Sequence, residues 1–183
     1  MFKEEKGITL IEIVVMVALI AIFSAILISD FPKMQRQFML SRTAHKLAQD
    51  IRRAQDLALS GRKPTEDEKI AGYGIYLSTS NTGQYILYKD KVIDSSYDSK
   101  YSGDTSSESI ETIVISDFSA GVSISKINDS TGSASVNFAP PNPTVTLTLG
   151  GSDATFIEIT LISDVDNFTK VVKVNSAGLI EVQ

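Results

Sequence analysis

Between residues 8 and 28 the chain is apolar at every position except Thr9, Glu12 and Ser24, and the stretch 13–28 carries no charge. Extended back to residue 8, the run reaches the ~20 residues that cross ~30 Å of hydrocarbon as a helix, so it predicts a transmembrane segment. A secretory signal peptide is the competing reading. Its apolar core is shorter and ends in a small-residue cleavage site, of which Ser24-Ala25-Ile26 is a poor version. Further on the period changes: Leu40, Ala44, Leu47, Ile51, Ala54 and Ala58 are spaced 4, 3, 4, 3 and 4, one face of a helix, while Arg42, Lys46, Asp50, Arg53 and Asp56 fall largely elsewhere. Gly61 followed by Lys63-Pro64 is a stop signal, and Pro32 predicts a kink or a loosened turn. A helix continuous over 8–60 would be ~80 Å long at ~1.5 Å per residue.

The rest of the pattern is strand-like. Nine strands are predicted, at 73–77, 84–89, 110–117, 122–127, 134–138, 144–149, 156–162, 169–175 and 179–182, with the clearest alternation in Thr144-Val-Thr-Leu-Thr-Leu149. Asn81-Thr-Gly83 and Ser176-Ala-Gly178 read as hairpin turns joining the first two and the last two strands. The Ser-, Asp- and Gly-rich stretch 94–109, with Tyr97 and Tyr101, reads as a long exposed loop, and Pro140-Pro141-Asn142-Pro143 as a rigid extended connection. No internal repeat is evident.

Composition narrows the chemistry. At 183 residues the chain has room for one modest domain and an appendage, and 43% hydrophobic residues is too apolar for a disordered chain. With no cysteine, disulfides, thiolate metal sites and thiol nucleophiles are excluded; a single histidine, His45, argues against a histidine-rich metal site or a serine–histidine triad. The net charge of −5 conceals a division. Residues 30–63 hold eight Lys/Arg against three Asp/Glu, a balance of +5, whereas residues 64–183 hold seven against sixteen, a balance of −9. An acidic body repels the phosphates of nucleic acid and anionic lipid.

Ahead of the apolar run stands Met1-Phe-Lys-Glu-Glu-Lys-Gly7, then Ile8-Thr9-Leu10-Ile11-Glu12: a charged leader ending in glycine, then a lone carboxylate five positions later. This order resembles the leader of type IV prepilins and type II secretion pseudopilins. The resemblance implies cleavage by a prepilin peptidase between Gly7 and Ile8, N-methylation of Ile8, and an assembly role for Glu12, paired with the freed α-amino group of a neighbouring subunit. The family more often has phenylalanine or methionine where this chain has Ile8, and the leader carries Glu4 and Glu5 beside Lys3 and Lys6. Physics supplies an independent reason to single out Glu12. A carboxylate within a membrane helix is costly, and once packed among helices it needs a cation.

A long helix followed by an antiparallel β region is similar to the pilin fold. Ala44-His-Lys-Leu-Ala-Gln-Asp-Ile-Arg-Arg-Ala-Gln-Asp-Leu-Ala58 looks like the helix segment of the GspH/FimT group of minor pilins. Tyr73-Gly-Ile-Tyr-Leu77 and Val174-Asn-Ser-Ala-Gly-Leu-Ile-Glu-Val182 resemble that group's early strand and terminal hairpin. The implied architecture is α+β, a long N-terminal transmembrane helix packed on a C-terminal antiparallel β domain. Its parts are a leader peptide (1–7), the membrane part of the helix (8–29), an exposed amphipathic helix (30–61) and a β-rich head (62–183). The resemblance implies a structural, non-enzymatic subunit of a pilus or secretion pseudopilus in the cytoplasmic membrane, head outside. Its partners would be the prepilin peptidase, other pilin subunits, the inner-membrane assembly platform and, before assembly, the lipid bilayer. Counting Lys/Arg points the other way on topology, because Lys33, Arg36, Arg42 and Lys46 follow the span while only Lys3 and Lys6 precede it.

Two other readings stay open at this point: a DNA-uptake pilin, and a membrane-tethered binding or hydrolytic domain that never polymerises. For DNA the C-terminal end offers only Lys170 and Lys173, too few for strong phosphate binding, so DNA is not an expected partner. Asp164-Val-Asp166-Asn167 has part of the spacing of a calcium loop but lacks its glycine and distal glutamate, and no cofactor or metal is expected. Asn128-Asp-Ser130 and Asn167-Phe-Thr169 match the glycosylation pattern, which says little beside a prokaryotic-type leader.

Overall fold

A computed structural model describes residues 7–61, 70–91, 99–101, 103, 108–130, 132–140 and 144–183, without the side chains of residues 29 and 30. The leader up to residue 6, Lys63-Pro64, much of the 94–109 stretch and the prolines at 141 and 143 lie outside the described residues. The chain divides into two compact units, Met1–Arg36 and Gln37–Gln183. One helix, α1 (Leu10–Leu59), contributes to both.

In the first unit the helical pattern is realised with no burial among the described residues 7–28. Every described side chain from residue 7 to 28 is exposed, including Ile11, Val15, Ile20 and Phe23. By length and composition this is a helix able to cross a membrane, and none of its apolar window is buried. The helix runs through Pro32 without interruption. The fixed φ of proline is itself helical, and the loss there is one backbone hydrogen bond.

The second unit is α+β. The helical stripe anticipated from spacing is the buried one: Leu40, Ala44, Leu47, Ile51, Ala54 and Ala58 are each at most 2% exposed. Four alanines on this buried face (Ala44, Ala48, Ala54 and Ala58) let a helix approach a sheet closely. The helix ends as the sequence required, with Gly61 in the left-handed region (φ 59°) and its N–H donating to the Ala58 carbonyl.

Among the described residues ten strands form two antiparallel sheets. They are β1 (Ile70–Ser78), β2 (Gln84–Lys91), β3 (Ser109–Val114), β4 (Val122–Ile127), β5 (Ser133–Ala139), β6 (Thr144–Leu149), β7 (Ser152–Ala154), β8 (Phe156–Ser163), β9 (Thr169–Asn175) and β10 (Ile180–Val182). A six-stranded sheet has the order β3-β2-β1-β5-β6-β7, and a four-stranded sheet the order β10-β9-β8-β4. Both predicted hairpins, β1–β2 and β9–β10, are present. The helix stripe, Ile75, Leu87, Val136 and Phe138 of the larger sheet, and Ile157, Ile159, Val172 and Val174 of the smaller one belong to one contiguous core.

Three expectations are corrected. The third strand stops at Val114 rather than 117, because Ile115–Asp117 turns as a 3-10 helix and the Ile115 N–H donates to the Gly83 carbonyl instead of a ladder partner. Strand β7 went unread: three residues carry no usable alternation, although Gly150 and Gly151, both at positive φ, mark the turn before it. The 94–109 stretch is not simply an exposed loop. Ser99, Lys100 and Tyr101 are half-buried, Glu108 is buried, and the Tyr101 ring lies 4.8 Å from Tyr76 and 5.5 Å from Tyr88.

Candidate functional site

The residues singled out at the N-terminus fall at the start of α1. Gly7, Ile8 and Thr9 precede the helix and are exposed, so the Gly7–Ile8 peptide bond sits in non-helical chain two residues before the first helical residue. A peptide bond in this setting can adopt the extended form that a peptidase needs. Thr9 is the N-cap: its hydroxyl oxygen and its carbonyl both accept from the Glu12 N–H, at 3.3 and 3.1 Å, and its carbonyl also accepts from Ile13 at 3.3 Å.

The helix therefore begins at Leu10, not at residue 8 as the continuous pattern suggested. The reason is that a threonine hydroxyl satisfies an otherwise orphaned amide only from outside the helix. Thr9-Leu-Ile-Glu12 is also the spacing of a capping box, and it places a carboxylate in the first turn, near the positive end of the helix dipole. Thr9 is the residue that sequence reasoning missed; the S/T-x-x-E signature was its available signal.

A second cluster ties the helix to the sheet. Asp50 was expected off the packing face, yet it is 4% exposed. The Tyr85 hydroxyl donates to it at 2.6 Å, and the Lys46 ammonium, one turn earlier, donates to both of its oxygens at 2.6 and 2.7 Å. Arg53 reaches Glu111 on β3 at 2.7 Å, an exposed pair. A buried carboxylate is tolerated when its lone pairs are met by charged or hydroxyl donors, and here both kinds converge. Burial first, then the hydrogen bond to and charge of Asp50, with Glu111 as a further negative charge, push the Tyr85 phenol far above its ordinary range.

The sign of the resulting pH dependence follows directly. In the unfolded chain Tyr85 ionises near 10.0, whereas in the folded chain it keeps its proton well beyond that. The unfolded state then binds fewer protons, so stability is fully present below about pH 10 and declines as pH rises past it. Tyr85→Phe is expected to flatten that alkaline loss relative to the wild type, while lowering stability at neutral pH by about 1–3 kcal/mol through the partner withdrawn from Asp50. Urea unfolding of both chains from neutral to strongly alkaline pH checks the two halves together.

The other candidates are dispersed. His45 is exposed on α1. Asp164-Val-Asp166-Asn167 forms the turn between β8 and β9, with the Asp164 carboxylate accepting from Ser123 at 3.0 Å and Asn167 at φ 54°. Among the described residues no three His, Asp or Glu side chains gather as a metal-binding group. Lys173 pairs with Glu158 across β8–β9 at 2.6 Å and lies 4.8 Å over the Phe156 ring, so this basic residue is already engaged by an acid and an aromatic face. The Asn128 side chain donates to the Phe156 carbonyl and accepts from the Glu158 N–H, which ties up the amide of that sequon.

No family of known proteins, no curated protein and no solved structure matches this chain.

Proposed function

We propose that the chain is a structural subunit, a minor pilin or pseudopilin of the GspH/FimT-like kind. In this reading a prepilin peptidase cuts between Gly7 and Ile8 and N-methylates Ile8. The processed chain waits in the cytoplasmic membrane through residues 8–28, with its β-rich head on the extracytoplasmic side, and an assembly platform feeds it into a type IV pilus or a secretion pseudopilus. Its work is mechanical rather than enzymatic, and its partners are other subunits of the same filament.

The observation that carries the reading is the first unit. Among the described residues its apolar helix has none buried, a single carboxylate in its first turn, and a non-helical glycine bond just before it. Such a helix has two stable environments, lipid or a bundle of similar helices. Passing from one to the other gains little hydrophobic free energy, because both are apolar, so packing and polar pairing must supply the specificity. Cleavage creates the missing cation. The new α-amino group of Ile8 stands just ahead of the Thr9 cap, four residues before Glu12, where a neighbour's carboxylate can meet it.

The test is the mature N-terminus. Mass spectrometry of the protein from its native cells is expected to find N-methylated Ile8 as first residue. An intact residue 1–7 segment would instead mark a tethered domain that stays in the membrane and would end this reading.

A further inference from the structure

The face of the six-stranded sheet turned away from the core carries a feature that filament assembly does not call for. Across four strands the directly paired residues Tyr76, Ser135, Thr148 and Asp153 form one row. The residues flanking Tyr76, Ser135 and Thr148 in their strands (Ile75, Leu77, Ala134, Val136, Leu147) point into the core, so these three point outward. Outward-facing polar residues on a sheet are ordinarily wet. Here Ser135 is 4% and Thr148 3% exposed, because Lys100 and Tyr101 roof the row. Lys100 is held there by a 2.7 Å hydrogen bond to the Gly151 carbonyl, and Tyr101 by its contact with the Tyr76 ring.

Beneath this roof is a cavity of about 130 Å³, open on one side and lined by Tyr76, Tyr101, Ser133, Ser135, Thr148 and the Lys100 chain. Among the described residues nothing hydrogen-bonds to the hydroxyl of Ser135 or Thr148. Both residues line the cavity, so a polar group entering it can meet their hydroxyls, whereas an apolar group entering it would strand them.

We propose that this cavity is a binding site for one pyranose unit of a carbohydrate. Size comes first: a cavity of ~150 Å³ is known to take a single benzene-sized ring, so this one admits one six-membered ring with its far edge in solvent. Polarity comes next. A hydrocarbon ring would leave both hydroxyls unsatisfied, whereas a sugar offers hydroxyls to Ser135 and Thr148 and a C–H surface to the tyrosine rings. Charge excludes the remaining class. The one cation among the described lining residues, Lys100, is already bonded to Gly151, Asp153 stands directly across from Thr148, and residues 64–183 sum to −9, a setting that disfavours an anion. The inference does not depend on the assembly reading; a tethered domain would carry the same site.

The test uses the full chain in micelles of a detergent without a sugar headgroup. The probes are the methyl glycosides of glucose, galactose, mannose and N-acetylglucosamine. Binding is read by saturation-transfer NMR and by tyrosine fluorescence, which no tryptophan obscures. Saturable binding of at least one glycoside is expected, with shifts of labelled Tyr76 and Tyr101 ring resonances in the unmodified chain. The Ser135→Ala/Thr148→Val variant is expected to bind at least ~10-fold more weakly with its melting temperature unchanged, the loss of about one hydrogen bond's contribution. The proposal is overturned by no saturation with any glycoside, by binding that leaves the Tyr76 and Tyr101 resonances unmoved, by undiminished affinity in the double variant, or by inorganic phosphate displacing the glycoside.

Discussion

On the filament reading proposed above, Glu12→Leu is expected to leave the chain in the membrane and to remove it from filaments. Leucine inserts more favourably than any acidic residue, so membrane levels should hold or rise. Within a bundle of helices the substitution strands the neighbour's Ile8 ammonium without a counter-charge, and breaking a buried ion pair from one side costs about 3–5 kcal/mol. At ~1.4 kcal/mol per factor of ten, incorporation should fall by roughly two to three and a half orders of magnitude. The amount recovered in sheared filaments against the amount in membranes measures it directly.

The Thr9 cap makes a second variant informative. Glutamine serves at the third helical position of a capping box as well as glutamate does, but it carries no charge. Glu12→Gln therefore keeps the start of α1 and loses only the ion pair, so it should fail to assemble as Glu12→Leu does. Wild-type levels of the glutamine variant in filaments would reduce Glu12 to a cap and refute the pairing argument.

Gly74→Ala is expected to be the most damaging single-methyl change in the head. Gly74 lies mid-strand in β1, between β2 and β5, on the face turned away from the core. A Cβ there would collide with the Val136 carbonyl oxygen and lie 2.7 Å from two carbons of the Tyr88 ring. Neither neighbour can yield cheaply: the carbonyl belongs to the paired strand, and Tyr88 is fully buried with Tyr101 over it. We expect a loss of at least ~3 kcal/mol. For a unit of this size that is a fall in Tm of roughly 6–12 °C, followed by circular dichroism in the β region. Gly83→Ala is the matched control, since a Cβ at Gly83 meets nothing within 4 Å and should shift stability by less than ~1 kcal/mol. Equal melting of the two variants would show that the sheet does not depend on the bare backbone at Gly74.

Much of this molecule was legible in one dimension. The stripe from Leu40 to Ala58 could be named residue by residue, because burial of one helix face imposes a 3.6-residue period that survives in the sequence. The long apolar helix through residues 10–28 and the hairpins at Asn81-Thr-Gly83 and Ser176-Ala-Gly178 were equally plain, since an unbroken apolar run and turn geometry are local features. The cap at Thr9 was present as a signature and went unread beside the stronger message of Glu12.

What stayed hidden depended on partners far away in the chain. Asp50 reads as one more polar position of an amphipathic helix, and its burial is made tolerable by the Lys46 ammonium one turn away together with the Tyr85 hydroxyl, which arrives from 35 residues away. Ser135 and Thr148 read as solvent-facing members of alternating strands until the segment at 99–101 folds over them. Strand order is of the same kind: nothing near β1 announces that its second neighbour is β5, nor that β4 closes the other sheet beside β8. Periodicity records which face of an element loses its water. Which element takes that water's place is settled by contacts between segments distant in the chain, and a pattern along the chain does not encode their pairing.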